Sequence, residues 1–311
     1  MKPQAHDPIP ALLALLQPAR IRRDVYCLAS NPLPMRKANL TLPGHAKSTL
    51  DEADDYVTAE LAAAGYGVER EACQVQAFRR DTRKPIQHQY ASPAPEDPWY
   101  TAYNLYTERR GAAQPEEIVL LVAHKDSQSW IDSPGAYDNA VGTVVNLELA
   151  RVLAETRPAR TVRWLFCNEE HTPWTSVTAA RLARERGDNL VAIFNTDSVG
   201  GKSAESLAAG LCTNVTRYTT LEGRWLAELM AEVNEMYHIG LTQSAYESDR
   251  PSDDDGSFIK EGFLSAVTNV GSLPYVDPNY HQLGDTPESV DLENVVRAAR
   301  AILAAVLRVA R

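Results

Sequence analysis

Ile118-Val119-Leu120-Leu121-Val122-Ala123-His124-Lys125-Asp126-Ser127 is an apolar run of strand length that breaks, without a spacer, into charged and polar residues. A stretch this apolar reads as a strand buried on both faces, the kind that lies in a parallel sheet covered by helices. The texture recurs at Val162–Cys167, followed by Asn168, Glu169 and Glu170, and at Leu190–Phe194, followed by Asn195, Thr196 and Asp197. It recurs again at Leu264–Val270, beyond which a loop leads to Tyr280, His281 and Asp285. Between these runs lie helical patterns at 140–155, 175–186, 222–237 and 291–309; the last puts Leu292, Val295, Val296, Ala299, Ile302, Leu303 and Val306 on one stripe. The alternation predicts a single three-layer α/β/α domain over residues 1–311, built on a central mixed, mostly parallel sheet.

Upstream, residues 48–64 read as an amphipathic helix with Leu50, Ala53, Val57 and Leu61 inward, a Ser48/Asp51 capping pattern and a stop at Gly65. Val68–Phe78 alternates as a strand, Arg79–Pro98 reads as a long polar loop, and residues 1–44 form an N-terminal helical extension. Lys and Arg number 31 against 41 Asp and Glu, a net charge of −10 that argues against a nucleic-acid or anionic-membrane surface. The apolar stretch Ala11–Leu16 lacks a small-residue cleavage site, and no segment is long enough to span a bilayer. Cys27, Cys73, Cys167 and Cys212 are widely spaced with no CxxC pair, so they read as reduced thiols and the expected location is cytoplasmic.

In such sheets ligands bind beyond the carboxyl ends of the strands, where this chain places His124, Asp126, Glu169, Glu170, Asp197 and His281. A further carboxylate, Asp138, precedes the helix that begins near Ala140. Singly, each has an ordinary reading as a hydrogen-bonded histidine, a solvated glutamate or a helix cap. Together, charged groups abutting buried strands demand a compensating cation, and a divalent metal supplies it. Two His and three carboxylates suffice for two zinc ions if one carboxylate bridges them, leaving the adjacent glutamate as proton carrier. Asp126, two residues beyond His124, suits the carboxylate that accepts the imidazole's other N–H.

These residues, in this order, resemble the co-catalytic zinc aminopeptidases of metallopeptidase family 28. The resemblance rests on AHKDS (Ala123–Ser127), GAYDNA (Gly135–Ala140), Glu169–Glu170, NTDSVG with Asp197, and YHQLGDT (Tyr280–Thr286), and covers residues 45–309. It implies a zinc-exopeptidase-like fold and two zinc ions per chain. His124 and Asp197 would hold one, Glu170 and His281 the other, with Asp138 bridging. It further implies Glu169 as general base and then acid, Asp126 as the partner of His124, Tyr280 as oxyanion donor, and a cis peptide bond at Asp138–Asn139. The implied substrate is a peptide or aminoacyl amide, and the oligomeric state stays open.

The chain departs from the family after the glutamate pair, where it reads His171-Thr172-Pro173-Trp174-Thr175-Ser176 in place of a glycine-containing stretch. It departs again at Asp253-Asp254-Asp255-Gly256-Ser257-Phe258, where Asp255 replaces a histidine that commonly lines the site region. His171 reads as a structural or substrate-contacting side chain, and Trp130 and Trp174 as either pocket wall or core. His6, His45, His88 and His238 have no metal-like company. Two other functions fit the same scaffold: a single-zinc glutaminyl-peptide cyclotransferase and a non-catalytic binding domain derived from the peptidase fold.

Overall fold

A computed structural model describes residues 7–272 and 276–311, which leaves His6 outside the described residues. In chain order the strands are β1 (Glu69–Ala77), β2 (Arg79–Arg80), β3 (Tyr90–Ala91), β4 (Trp99–Arg109), β5 (Gln114–His124), β6 (Arg160–Cys167), β7 (His171–Thr172), β8 (Asn189–Thr196), β9 (Thr213–Tyr218), β10 (Thr242–Glu247) and β11 (Ala266–Val270). The helices are α1 (Ile9–Leu13), α2 (Pro18–Ala29), α3 (Thr49–Ala63), α4 (Val141–Leu153), α5 (Thr175–Arg186), α6 (Ala204–Ala208), α7 (Leu221–Met236), α8 (Asp253–Lys260) and α9 (Leu292–Val309).

Nine strands form one sheet in the order β10-β9-β11-β8-β5-β6-β4-β1-β7. Its centre, β11-β8-β5-β6, is parallel, as the apolar runs predict, while β4, β1 and β7 extend one side antiparallel. Alternation along the central strands sorts side chains into two cores. Val119, Leu121, Trp164, Phe166, Ala192 and Phe194 face α4, α7 and α9, whereas Ile118, Leu120, Val122, Leu165 and Ile193 face α5 and α8. The α9 stripe is buried from Val295 to Val306, each fully buried Val, Ile or Leu contributing roughly 1.5–3 kcal/mol.

The N-terminal segment belongs to the larger core, since Ile9, Ile21, Val25, Leu28 and Leu33 are buried within it and α2 packs on α4 and α9. Ser48 caps α3 by accepting the N–H of Asp51.

The sequence reading differs from the structure at several elements. The 79–98 stretch is not a plain loop, because β2 and β3 pair within it. β4 carries half-exposed tyrosines and a terminal tryptophan, so it lacks the apolar run of a central strand. β9 and β10 are polar; β9 is buried because Asn214 and Thr216 hydrogen-bond to Asn269 Oδ1 of β11 at 3.1 and 2.9 Å. No helix among the described residues is long and apolar enough to cross a membrane.

Candidate metal centre

The parallel strands end together, and each delivers a polar side chain to the same cavity. His124 is the last residue of β5, Glu169 and Glu170 follow β6, Asp197 follows β8, and His281 lies on the loop after β11. Buried Lys125 ties two of these tips, reaching Asn168 Oδ1 at 2.7 Å and Asp54 Oδ1 at 2.8 Å.

Asp138 enters from a tight turn, Ala136–Ala140, ahead of α4. Gly135 opens that turn at φ +63°, where a Cβ would meet the Asp138 carbonyl oxygen at 2.4 Å, so a side chain is excluded. Asp285 accepts the backbone N–H groups of Tyr137 (2.6 Å) and Asp138 (3.1 Å) and so holds the turn. The Asp138–Asn139 peptide bond is cis.

The turn points Asp138 between the two histidines. Its Oδ1 is 3.1 Å from His124 Nε2 and its Oδ2 is 2.9 Å from His281 Nε2. Asp197 Oδ1 approaches His124 Nε2 at 3.4 Å, and Glu170 Oε1 approaches His281 Nε2 at 3.5 Å. Two donors, each about 2.0 Å from one tetrahedral zinc, stand about 3.3 Å apart, so these spacings fit a metal on each side of Asp138. Two groups of donor atoms, each within 4.8 Å, emerge among the described residues: His124, Glu169 and Asp197, and Asp138, Glu170 and His281. Asp138 has one carboxylate oxygen toward each histidine and so adjoins both.

Glu169 belongs to the first group by distance yet makes no ion pair with either histidine among the described residues, and its Oε2 has no hydrogen-bond partner. Burial, reinforced by the charges of Asp254 and Asp253, pushes its carboxyl well above the usual range. Burial would also raise Asp126, but hydrogen bonds to His124 and His171 hold it well below that range. Asp126 Oδ1 lies 3.2 Å from His124 Nδ1, leaving Nε2 to face Asp138 and Asp197.

The cavity measures about 380 Å³ and is walled by Phe78, Tyr90, Trp174, Tyr246 and Tyr280, with Arg217 and Asp253 at one side. Tyr280 stacks on His281 with ring centroids 3.8 Å apart. Trp174 is therefore pocket wall, and Trp130, 50 % exposed, is neither pocket nor core. Asp255 does not line the site: it accepts hydrogen bonds from Arg217 Nη2 (2.8 Å) and Thr268 Oγ1, and Asp253 faces the cavity in its place. The helical period explains this, since residues two apart on α8, such as Asp253 and Asp255, point about 200° apart. His45 pairs with Glu52 at 2.6 Å, and neither His88 nor His238 joins a donor group.

Two contributors lacked a sequence signal. Gln128 donates to Glu170 Oε2 and lies 3.0 Å from His281 Nε2. Arg36, in a proline-rich stretch far from any strand end, packs its fully buried guanidinium beneath the turn carrying Asp138. Gln128 is foreshadowed only by its place just after the AHKDS element.

Residues 104–306 match the sequence pattern of Peptidase family M28. A probable zinc metalloprotease of Pyrenophora teres f. teres (strain 0-1) is 28 % identical over 218 residues, 62 % of this chain and 45 % of the relative. Aminopeptidase YwaD of Bacillus subtilis (strain 168) is 29 % identical over 196 residues, 61 % of this chain and 40 % of the relative. The chain thus spans about half the length of these curated relatives, or somewhat less. Among solved structures, an aminopeptidase from Aneurinibacillus sp. strain AM-1 superposes with a TM-score of 0.74 at 16 % identity, covering 97 % of this chain and 96 % of that one. The family pattern begins within β4 and ends within α9, enclosing every residue of the two donor groups, and this chain belongs to peptidase family M28.

Proposed function

We propose that this protein is a zinc-dependent exopeptidase that removes N-terminal residues from peptides or aminoacyl amides. The observation that carries the proposal is the seat of Asp138, one carboxylate oxygen on each of two buried histidines. His124 and Asp197 would hold one zinc, Glu170 and His281 the other, and Asp138 both. Bound zinc supplies Lewis-acid polarisation of the scissile carbonyl and acidifies water.

The remaining work falls to side chains. Glu169, with an unpartnered and buried carboxylate oxygen, takes a proton from the attacking water and returns it to the leaving amine. Tyr280, held by stacking on His281, donates its phenolic hydrogen to the tetrahedral oxyanion. Asp126 keeps His124 in the tautomer that presents Nε2. Trp174, Phe78 and Tyr90 give the cavity the apolar wall that a substrate side chain requires.

Two donor groups flanking Asp138 favour two metals over the single zinc of a cyclotransferase, and the relatives named zinc metalloprotease and aminopeptidase support the hydrolytic reading. The test is metal content of the purified chain alongside hydrolysis of a panel of N-terminal aminoacyl amides. Two zincs with aminoacyl release are expected. One zinc with cyclisation of glutaminyl peptides, or no metal, overturns the reading.

A further inference from the structure

His171 is a fully buried imidazole that the proposed chemistry does not use. It follows Glu170 in β7, at the point where the chain departs from its family's glycine-containing stretch. Its Nε2 accepts the backbone N–H of Ala38 at 3.1 Å. A ring nitrogen that accepts carries no proton, so in the neutral imidazole the proton sits on Nδ1. Nδ1 lies 2.8 Å from Asp126 Oδ2 and donates to it.

That carboxylate is fully engaged. Oδ1 takes the N–H of Glu169 at 3.0 Å and meets His124 Nδ1 at 3.2 Å; Oδ2 takes the N–H of Glu170 at 2.9 Å together with His171. Ala38 is itself held in place. The Arg36 N–H donates to Ser127 Oγ and the Arg36 carbonyl accepts the Ser127 N–H, both at 2.9 Å. The Lys37 N–H donates to Thr49 Oγ1 at 3.0 Å.

We propose that His171 is a positioning residue for His124, acting through Asp126. The Ala38 N–H selects the tautomer of His171, His171 fixes the rotation of the Asp126 carboxylate, and Asp126 aims His124 Nε2 at Asp138 and Asp197. The inference rests on His124 being a metal ligand, as proposed above, and assigns part of the centre's geometry to a segment outside the family-matched residues 104–306.

The test measures zinc affinity by competition with a chromogenic chelator and the melting temperature of metal-free protein. His171→Asn keeps an N–H donor near the Nδ1 position, whereas His171→Gln places its amide near Nε2 and leaves Asp126 Oδ2 without that donor. His171→Gln is expected to weaken zinc binding about 10–100-fold, and His171→Asn to stay within about threefold of wild type. In an Asp126→Asn background, adding His171→Gln is expected to change affinity less than about twofold, because both act on one path. Equal losses in the two variants, unchanged affinity in both despite a lower metal-free melting temperature, or a full additional loss in the double variant overturns the inference. If His171→Gln yields no folded protein, His171→Ala replaces it: a loss of about 10–100-fold beside a near-wild-type His171→Asn supports the role, and unchanged affinity in both or equal losses in both overturn it. A wild-type chain that binds no zinc overturns the proposed function as well, whereas a wild-type chain that binds zinc with His171 variants unaffected overturns this inference only.

Discussion

Arg36 Nη2 donates to the carbonyl of Gly135 at 2.7 Å, three residues before Asp138. The same guanidinium reaches the carbonyls of Lys125 (2.6 Å), Leu28 (2.5 Å) and Pro134 (2.8 Å), so one side chain braces both the His124 and the Asp138 segments. Burial lowers its pKa to about 10, against the pull of Asp285, Asp126 and Asp138. Arg36→Met would leave several buried carbonyls without donors, each costing about 1–3 kcal/mol. The expected outcome is a loss of at least about 3 kcal/mol in urea unfolding, and a change below about 1 kcal/mol contradicts the bracing role.

On the proposed function the glutamate pair would divide into base and ligand. Glu169→Gln keeps shape but removes the basic oxygen, so kcat should fall about 10²–10⁴-fold with zinc stoichiometry unchanged. Glu170→Gln should instead lose affinity for one zinc, since an amide oxygen is the poorer ligand. Kinetics and metal analysis of both variants check the assignment, and the reverse pattern contradicts it.

Stripping the metal should lower the melting temperature, and protons should substitute in part for what is lost. In the metal-free chain burial raises Asp253 and Asp254 to about 6, Asp285 to about 7 and Glu169 well above its ordinary value. Burial pulls His281 down, but Glu170 and Asp138 outweigh it and lift it to about 10. All these groups bind protons more tightly folded than unfolded, so stability falls as pH rises between about 6 and 8. Asp126 and Asp138, held low, lose their contribution only below about pH 4. The melting temperature of chelator-treated protein is therefore expected to rise from pH 8 to about pH 6, and the gain on adding zinc to shrink, because metal must displace those protons. Differential scanning calorimetry across that interval checks both signs.

Limited trypsin digestion should cut first after Arg83, whose side chain is 89 % exposed. The pieces should remain associated, because β1 and β4 pair across the cut from Glu69 opposite Tyr106 to Gln76 opposite Trp99. Separation of folded fragments on gel filtration contradicts this.

Strand tips were legible in the sequence because β5, β6, β8 and β11 announce themselves as apolar runs, and whatever follows such a run must leave the core. The five expected ligand positions and Glu169 converge on that account. What stayed hidden were interactions between segments with no local signature. Asn214 donates its amide to Asn269 Oδ1 across the buried β9–β11 seam, a pairing no window of β9 or β11 reveals. Arg36 reads as one arginine among many, since its role depends on which carbonyls the fold brings around it. Asp255 stands where the family often has a site histidine, and the structure turns it onto Arg217 and Thr268 while Asp253 lines the cavity.

The donor residues are also spread along the chain in a particular order. Only Glu169 and Glu170 are neighbours, while His124, Asp138, Asp197 and His281 occupy separate segments. During synthesis the group formed by His124, Glu169 and Asp197 is fully translated long before His281 emerges, and α9, which fills the core beneath them, is later still. Closing loops of this length falls to the packed sheet rather than to the ion. If the centre binds metal as proposed, it would be complete only once His281 is made, and a chain stalled before residue 281 would carry half of it.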